Sequence, residues 1–444
     1  MGAFRRSQST RKCSVTPSGL HGSSPIPRFR WRIGSLIGAG VLINYFDRVS
    51  LSVSAPQLQL TFGLSASDIG LLFSAFFWGY AVLQIPAGLL LDRYGVARVG
   101  RWSAMLWGIA SLITACAGGF FGLFIARLLL GVAEAPSFPA NSKATGYWFP
   151  SKERATSTAL FDAAAKFSNV IGVPLVAITV AHLGWRWGFG LVSVLSFIYF
   201  VIFYVFYRDP SRHPRLTRRE YEYIVANGAA SEGELSAGTN MLALLLRSRK
   251  VWGVSIGFAA YGYCFYFFLT WLPGYLVQTM HMSILRSSGL AAIPWACATV
   301  SDLLFGGWLI DHLIARGHDA TRVRKCVLLF GMSCGLAVVG ATTTTSSSVA
   351  VFWISVALSG LAAAAPVWWS MPPLIAPKGG VGTMGGIMNL SNNMMGGVAP
   401  IVTGYIVGHT HSFADAFFVA GSVLLFGMVV FVLLVGSIEP VQSQ

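Results

Sequence analysis

Two charged residues, Asp47 and Arg48, stand side by side in the middle of the first long apolar segment of this chain. A formal charge at the centre of a bilayer costs about 2.5 to 3.5 kcal/mol on insertion scales, so such residues persist where they face a polar cavity. A carboxylate can carry a proton, and a guanidinium can bind another carboxylate through two parallel hydrogen bonds. The pair therefore predicts a proton site beside an anion site.

Neighbouring residues of a helix point about 100° apart, so Asp47 and Arg48 cannot pair with one neighbour in the same way. Arg48, with Tyr45 on the same segment, is predicted to bind the carboxylate of a substrate. Asp47 is predicted to carry a proton. The alternative for both residues is a structural salt bridge between helices.

Two further charge pairs follow in the first half of the chain. Arg127 and Glu134 are seven residues apart, two helical turns, and so share a face. We expect Glu134 to exchange a proton and Arg127 to tune it; a fixed ion pair is the alternative. Asp162 and Lys166 lie within one turn of each other. Asp162 is predicted to take part in proton coupling and Lys166 in substrate binding, and the alternative is an internal ion pair.

Polar side chains also recur where they could bind a substrate's hydroxyl groups. Asn389, Asn392 and Asn393 fall on one helix face at i, i+3 and i+4. Their alternative role is to hydrogen-bond neighbouring helices together, as asparagine often does in membranes. Tyr80 and Gln84, four residues apart, are predicted to join the same binding site.

The charges of the first half set a requirement for the fold. Six intramembrane charges at roughly 3 kcal/mol each would cost about 18 kcal/mol if exposed to lipid, more than an ordinary domain's stability. They must line a hydrated cavity or neutralise one another, which makes the first half the ionic half. Asp302, in the second half, is either a third proton site or the partner of a cation on span ten or eleven.

The composition is that of a membrane protein: 55% of residues are hydrophobic, 11% are charged, and the mean hydropathy is +0.64. Apolar runs long enough to span a bilayer recur along nearly the whole chain. We predict an all-α membrane protein with 12 transmembrane helices in two six-helix, pseudo-symmetric bundles. The predicted spans lie near residues 33–54, 68–91, 99–117, 119–141, 156–181, 187–207, 251–278, 288–314, 323–342, 348–374, 381–407 and 413–436.

The net charge of +15 is distributed in a way that indicates membrane topology. If both termini are cytoplasmic, nearly all basic residues fall in inner segments, and the outer loops hold Arg186 and Arg286. This pattern favours a multi-pass protein of a bacterial inner membrane and argues against nucleic-acid binding. The Arg/Ser-rich first thirty residues also fit an organellar transit peptide. The six cysteines form no CxxC pair, so we expect no disulfide framework, no metal site and no cofactor.

The two halves contain a repeated element. Gly88 and Asp92 close the second span, and Gly307 and Asp311 close the eighth, at one offset: 307 − 88 = 219 and 311 − 92 = 219. Six-plus-six parallel repeats joined by a loop are a known transporter architecture. The predicted division is a basic tail (1–32), a first bundle (33–207), a cytoplasmic linker (208–250), a second bundle (251–436) and a short tail (437–444).

The stretch 88–98, Gly-Leu-Leu-Leu-Asp-Arg-Tyr-Gly-Val-Ala-Arg, resembles the loop motif of major facilitator transporters between spans two and three. In that superfamily the acid of the motif helps to latch the cytoplasmic gate. A narrower resemblance, covering about residues 31 to 436, is to the anion:cation symporter family. It rests on Asn44-Tyr-Phe-Asp-Arg48, the stretch 127–139, the Gly184-Trp-Arg-Trp-Gly188 turn and the run 385–400. The resemblance assigns gating to Gly88, Asp92, Arg93, Arg98 and Asp311.

The symporter resemblance implies that Asp47 and Glu134 carry the protons. Sugar-acid members of the family typically have an amide-bearing stretch where this chain has Asp162 and Lys166, a departure that would suit a substrate with a second acidic group. We therefore expect a monomeric, proton-coupled importer of a small organic anion, with no enzymatic activity. The alternatives are an exporter of the same fold, a phosphate or sulfonate carrier, and a membrane sensor that does not transport.

Overall fold

The computed structural model describes residues 27–150, 153–229, 241–377 and 381–439. Within these ranges the chain is helical, and nine segments are long and apolar enough to cross a membrane. The first half comprises α1 (Phe29–Phe62), α2 (Ala66–Val82), α3 (Gln84–Cys116), α4 (Phe120–Glu134), α5 (Ser137–Trp148), α6 (Arg154–Leu183) and α7 (Trp185–Phe206). The connection contains α8 (Arg218–Ala226) and α9 (Met241–Leu246). The second half comprises α10 (Arg249–Gln278), α11 (Ile284–Ser301), α12 (Leu309–Ala315), α13 (Ala320–Gly335), α14 (Ser347–Ile375), α15 (Val381–Thr410) and α16 (Phe413–Val435).

The helix ends follow local sequence signals. α1 ends at Gly63, whose φ of 65° is left-handed and suits glycine. Ser65 and Asp68 then form a capping box that starts α2. Gly95, with φ 78° and ψ 165°, interrupts α3, so the predicted second and third spans are separate helical segments that meet at this glycine. The predicted all-α, two-bundle fold is confirmed.

Three predicted spans are less regular than the sequence indicated. The second span is broken at Leu83, between α2 and α3. The fourth is divided at Ala135 and Pro136, consistent with a proline-rich helix end. The eighth contains a π-helical segment, Asp302–Trp308, between α11 and α12. Such segments are frequent at functional sites.

The halves meet closely on the side where α1 and α10 end, which we call the far side. Gln278 donates to Gln59 at 2.7 Å, and Phe73 packs edge-on against Trp271. The backbones approach most closely at two glycines: a Cβ at Gly70 would lie 2.5 Å from the Pro400 carbonyl oxygen, and one at Gly404 would lie 2.6 Å from that of Ala66.

The opposite side, where α1 begins, is the termini side. A Cβ built at Gly88, Gly385 or Gly386 would meet no heavy atom within 4 Å. Helices α2 and α15 are therefore joined at the far side, while these positions of α3 and α15 remain clear of neighbours. The structure has the halves closed at one face and apart at the other.

The linker is fixed to the first half through Arg30, near the start of α1. Arg30 donates to Glu220 of α8 at 3.0 Å and to both oxygens of Glu153 at 2.7 and 2.9 Å. Glu220 also accepts from the backbone N–H groups of Phe29 and Arg30, and so caps α1. The Arg30 guanidinium holds the pKa of the Glu153 carboxyl below its ordinary 4.5, and Tyr223, which donates to Glu153, has its pKa raised by burial.

α1 begins at Phe29, inside the segment 1–32 that the sequence assigned to a tail. Residues 1–26 and 440–444 of the predicted tails, and 230–240 of the predicted linker patch, lie outside the described residues. The predicted domain boundaries stay a prediction.

Candidate functional site

A cavity of about 580 Å³ lies between the two halves. Aromatic rings and a small number of polar groups line it, which is the usual character of a small-molecule site. The predicted residues that the structure brings together here are Tyr45, Arg48, Tyr80, Asp162, Lys166, Asn389, Asn392 and Asn393.

Arg48 is buried at one pole of the cavity and is held mainly by aromatic faces. Its guanidinium carbon lies 4.6 Å from the centre of the Tyr45 ring, 4.7 Å from Phe76 and 5.6 Å from Tyr80. Such cation–π contacts stabilise a guanidinium without using its N–H donors. Arg48 Nη2 makes longer contacts to Glu134 Oε2 at 3.4 Å and to Asn44 Oδ1 at 3.3 Å. The donors are thus weakly engaged.

Asp47 points to a different neighbour, as the offset between adjacent helix positions requires. Its Oδ1 accepts a hydrogen bond from Ser111 of α3. Arg127 donates to the backbone carbonyl of Asp47 at 3.1 Å. The fixed Arg127–Glu134 pair considered from the sequence is therefore not the observed arrangement: Glu134 faces Arg48, and Arg127 faces Asp47.

Within the described part of the chain, several buried polar atoms of this group have no hydrogen-bond partner: Asp47 Oδ2, Arg48 Nε and Glu134 Oε1. Buried polar groups are almost always paired, so each such atom calls for an explanation. A site that exchanges protons and a charged ligand must keep acceptors and donors free in one of its states. The vacancies sit on the three residues to which the sequence assigned that work.

Lys166 lies at the other pole of the cavity. Its Nζ is 2.7 Å from Asp162 Oδ2 and 3.0 Å from Asp302 Oδ2. The first contact is the predicted i,i+4 pair. The second crosses between the halves, because Asp302 belongs to the second half. The predicted partner for Asp302 on span ten or eleven was wrong: its partner is the lysine of span five.

The second half contributes a hydrogen-bonded group of amides. Asn393 donates to Asn389 Oδ1 at 2.9 Å and accepts from the hydroxyl of Tyr266 at 3.1 Å. Asn392 Nδ2 lies 3.5 Å from the same hydroxyl. Tyr266 and Tyr261 line the cavity but were not predicted. Both lie in an aromatic-rich stretch of α10 where periodicity alone does not distinguish a ligand from a packing residue.

Other predicted residues lie elsewhere. Gln84 begins α3 and is not among the described residues that line the cavity. Gly88, Arg93 and Arg98 lie on the termini side, and Arg93 packs on the ring of Tyr94 at 5.4 Å. The side chains of two further gating residues, Asp92 and Asp311, lie outside the described residues.

A two-bundle helical fold, closed on one face and enclosing a charged cavity at its centre, defines a secondary membrane transporter. The model of the Major Facilitator Superfamily matches residues 37–400. The chain belongs to this family, which confirms the predicted superfamily and the prediction of a transporter rather than an enzyme.

Similar proteins support this assignment. The chain is 41% identical to the uncharacterized transporter YybO of Bacillus subtilis (strain 168), over 93% of this chain and 95% of YybO. It is 35% identical to the probable galactarate/D-glucarate transporter GudP of Escherichia coli (strain K12), over 90% and 92% of the two chains. Among solved structures, a bacterial homolog of the human lysosomal transporter Spinster matches with a TM-score of 0.68 at 17% identity, over 93% and 96% of the chains; this likeness is one of fold.

Proposed function

We propose that this protein imports a small organic anion, a sugar acid or another carboxylate, together with protons. Relatives of this length and identity that carry sugar-acid transporter names support the substrate class. The orientation with both termini in the cytoplasm, suggested by the distribution of basic residues, would direct the termini side inward. The transporter is proposed to act as a monomer.

The contact between Arg48 and Glu134 carries the proposal. At 3.4 Å the carboxylate is the nearest anion to the guanidinium, and Glu134 is fully buried. A substrate carboxylate that binds Arg48 must compete with Glu134 for the same cation. Protonation of Glu134 removes that competitor and leaves a guanidinium with free donors, so proton uptake and anion binding favour each other.

The proposed cycle follows from this linkage. With the cavity open outward, Glu134 and Asp47 take up protons and the substrate carboxylate binds Arg48. The halves then close at the far side and separate at the termini side, the arrangement seen here. In the cytoplasm the protons leave, Arg48 pairs with Glu134 again, and the anion is released. One pH unit supplies about 1.4 kcal/mol per proton. A net positive charge moving inward gains a further ~2.3 kcal/mol per 100 mV.

The test is transport by purified protein in liposomes, with D-gluconate and D-glucarate as labelled probes. Glu134→Gln should lose accumulation driven by a pH gradient and keep exchange of substrate across the membrane, because the amide cannot release a proton. Glu222→Gln is the matched control, since Glu222 lies on the exposed face of α8 in a surface pair with Arg218. Gradient-driven accumulation by Glu134→Gln at the wild-type level would contradict the coupling role.

A further inference from the structure

Asp162, Lys166 and Asp302 form a cluster, here called the acidic clasp, whose consequence for the substrate goes beyond the transport cycle. Asp162 and Lys166 line the cavity from α6, and Asp302 approaches from the other half at the start of the π-helical segment. The lysine side chain is 5% exposed and sits within 3.0 Å of both carboxylates. It is therefore engaged by protein on two sides.

The charge of the acidic clasp does not favour a second anion. With both carboxylates ionised, two negative charges surround one positive charge, and the clasp carries a net −1. If one carboxyl holds a proton, the clasp is neutral and gains an O–H donor. In neither state does Lys166 offer a positive charge that its neighbours do not already balance, and at such short range a like charge is strongly disfavoured.

The pole at Arg48 behaves in the opposite way. Arg48 and Glu134 together are neutral when Glu134 is ionised and carry +1 when it is protonated. Because the same cavity is lined by Arg48 and by two members of the clasp, it is polarised along its length. A carboxylate is accepted at one pole, and hydrogen-bond acceptors prevail at the other.

Free acceptor atoms are present at the clasp pole. Asp302 Oδ1 is buried and, within the described residues, has no hydrogen-bond partner. The side chain of Asp162 remains 24% exposed in the cavity wall. Asn392, on the cavity wall of the second half, likewise has a buried Oδ1 without a partner. Hydroxyl or ammonium groups of a substrate would satisfy such oxygens, whereas a carboxylate cannot.

We propose that the acidic clasp selects substrates with a single carboxylate whose opposite end carries hydroxyl or ammonium donors, and discriminates against dicarboxylates. This inference rests on the proposed function. It reverses the expectation, drawn from Lys166 alone, that the site accommodates a second acidic group, because Asp302 was not placed beside Lys166 by the sequence.

D-Gluconate and D-glucarate test the selection, since they differ at C6, a hydroxymethyl group in one and a carboxylate in the other. Binding to detergent-purified wild-type protein is measured by calorimetry, and Arg48→Lys is measured beside it. We expect gluconate to bind at least about tenfold more tightly than glucarate. In the double variant Asp162→Asn, Asp302→Asn, which leaves the lysine uncompensated, the preference should shift toward glucarate by about tenfold or more.

The ratio of the two affinities is the informative readout, because a general folding defect weakens both ligands together. The triple variant that adds Lys166→Gln removes the uncompensated charge and should lose the shift. Equal or tighter binding of glucarate by the wild type, dependent on Arg48, overturns the selection and leaves the proposed function standing. An unchanged ratio in the double variant overturns it as well. Failure of the wild type to bind either sugar acid, or any other carboxylate in a broader screen, contradicts the proposed function and the selection with it.

Discussion

Two buried arginines on α1, Arg30 and Arg48, face carboxylates in very different ways. Arg30 donates four side-chain hydrogen bonds of 2.7 to 3.0 Å, to Glu153, Glu220 and the Pro27 carbonyl. Arg48 has two long contacts of 3.3 and 3.4 Å, and its Nε is without a partner among the described residues. One guanidinium is saturated, and the other is held by aromatic rings with its donors free.

The difference distinguishes a structural arginine from a binding arginine. Arg30 lies near the start of a 34-residue helix, about 50 Å long, which exceeds the ~30 Å hydrocarbon core of a bilayer. Its satisfied contacts fix the linker to the first half. Arg48 lies in the middle of the same helix, where a charge is costly unless something is obtained from it. The unused hydrogen-bonding capacity is what a ligand would occupy.

The largest expected effect separates the two by a conservative change. Arg48→Lys should weaken binding of a carboxylate substrate by at least about 100-fold, because an ammonium cannot make two parallel hydrogen bonds or stack on Tyr45 and Phe76 in the same way. Arg30→Lys should leave binding unchanged. Calorimetric titration with D-gluconate measures both, and wild-type affinity in Arg48→Lys would remove that residue from the site.

The next effect reverses the comparison by measuring stability. Arg30→Met should lower the free energy of unfolding by about 3 kcal/mol, since it leaves the fully buried Glu220 without its cation. Substrate affinity should be retained. Thermal unfolding of the purified protein gives the first quantity and titration gives the second. An unfolding midpoint equal to that of the wild type would show that Arg30 does not hold the linker.

The smallest expected effect depends on pH. Arg30 lowers the pKa of Glu153 in the folded protein, so the stabilisation by this pair is present above the ordinary carboxyl pKa and is lost as the pH falls through the folded-state value. The difference in unfolding midpoint between wild type and Glu153→Gln should therefore be larger at pH 7 and shrink below pH ~4. A difference that stays constant down to pH 3 would mean that the carboxylate charge contributes nothing.

The sequence was sufficient for the fold because hydropathy and length decide what can span a bilayer. It also identified Asp47, Arg48 and Glu134, since a charge inside an apolar segment is conspicuous regardless of structure. It did not find the breaks at Leu83 and within Asp302–Trp308, because a helix and an interrupted helix have nearly the same apolar pattern.

Contacts between the halves were beyond its reach. Helical periodicity predicted the Asp162–Lys166 pair within one helix, but the partner of Asp302 comes from a helix on the other side of the cavity. Nothing in spacing along the chain relates those two helices. Tyr266 was missed for a similar reason: its role follows from the asparagines opposite it, and its own neighbours in sequence are ordinary aromatic residues.

The paired glycines Gly70 and Gly404 have a consequence for how this seam tolerates change. The two helices touch there through backbone atoms, with no side chain available to move aside. Opening and closing at this point requires no rotamer to rearrange, which favours rapid switching. The same economy leaves no slack, so even a methyl group would wedge the seam apart and bias the population toward chains open on that face.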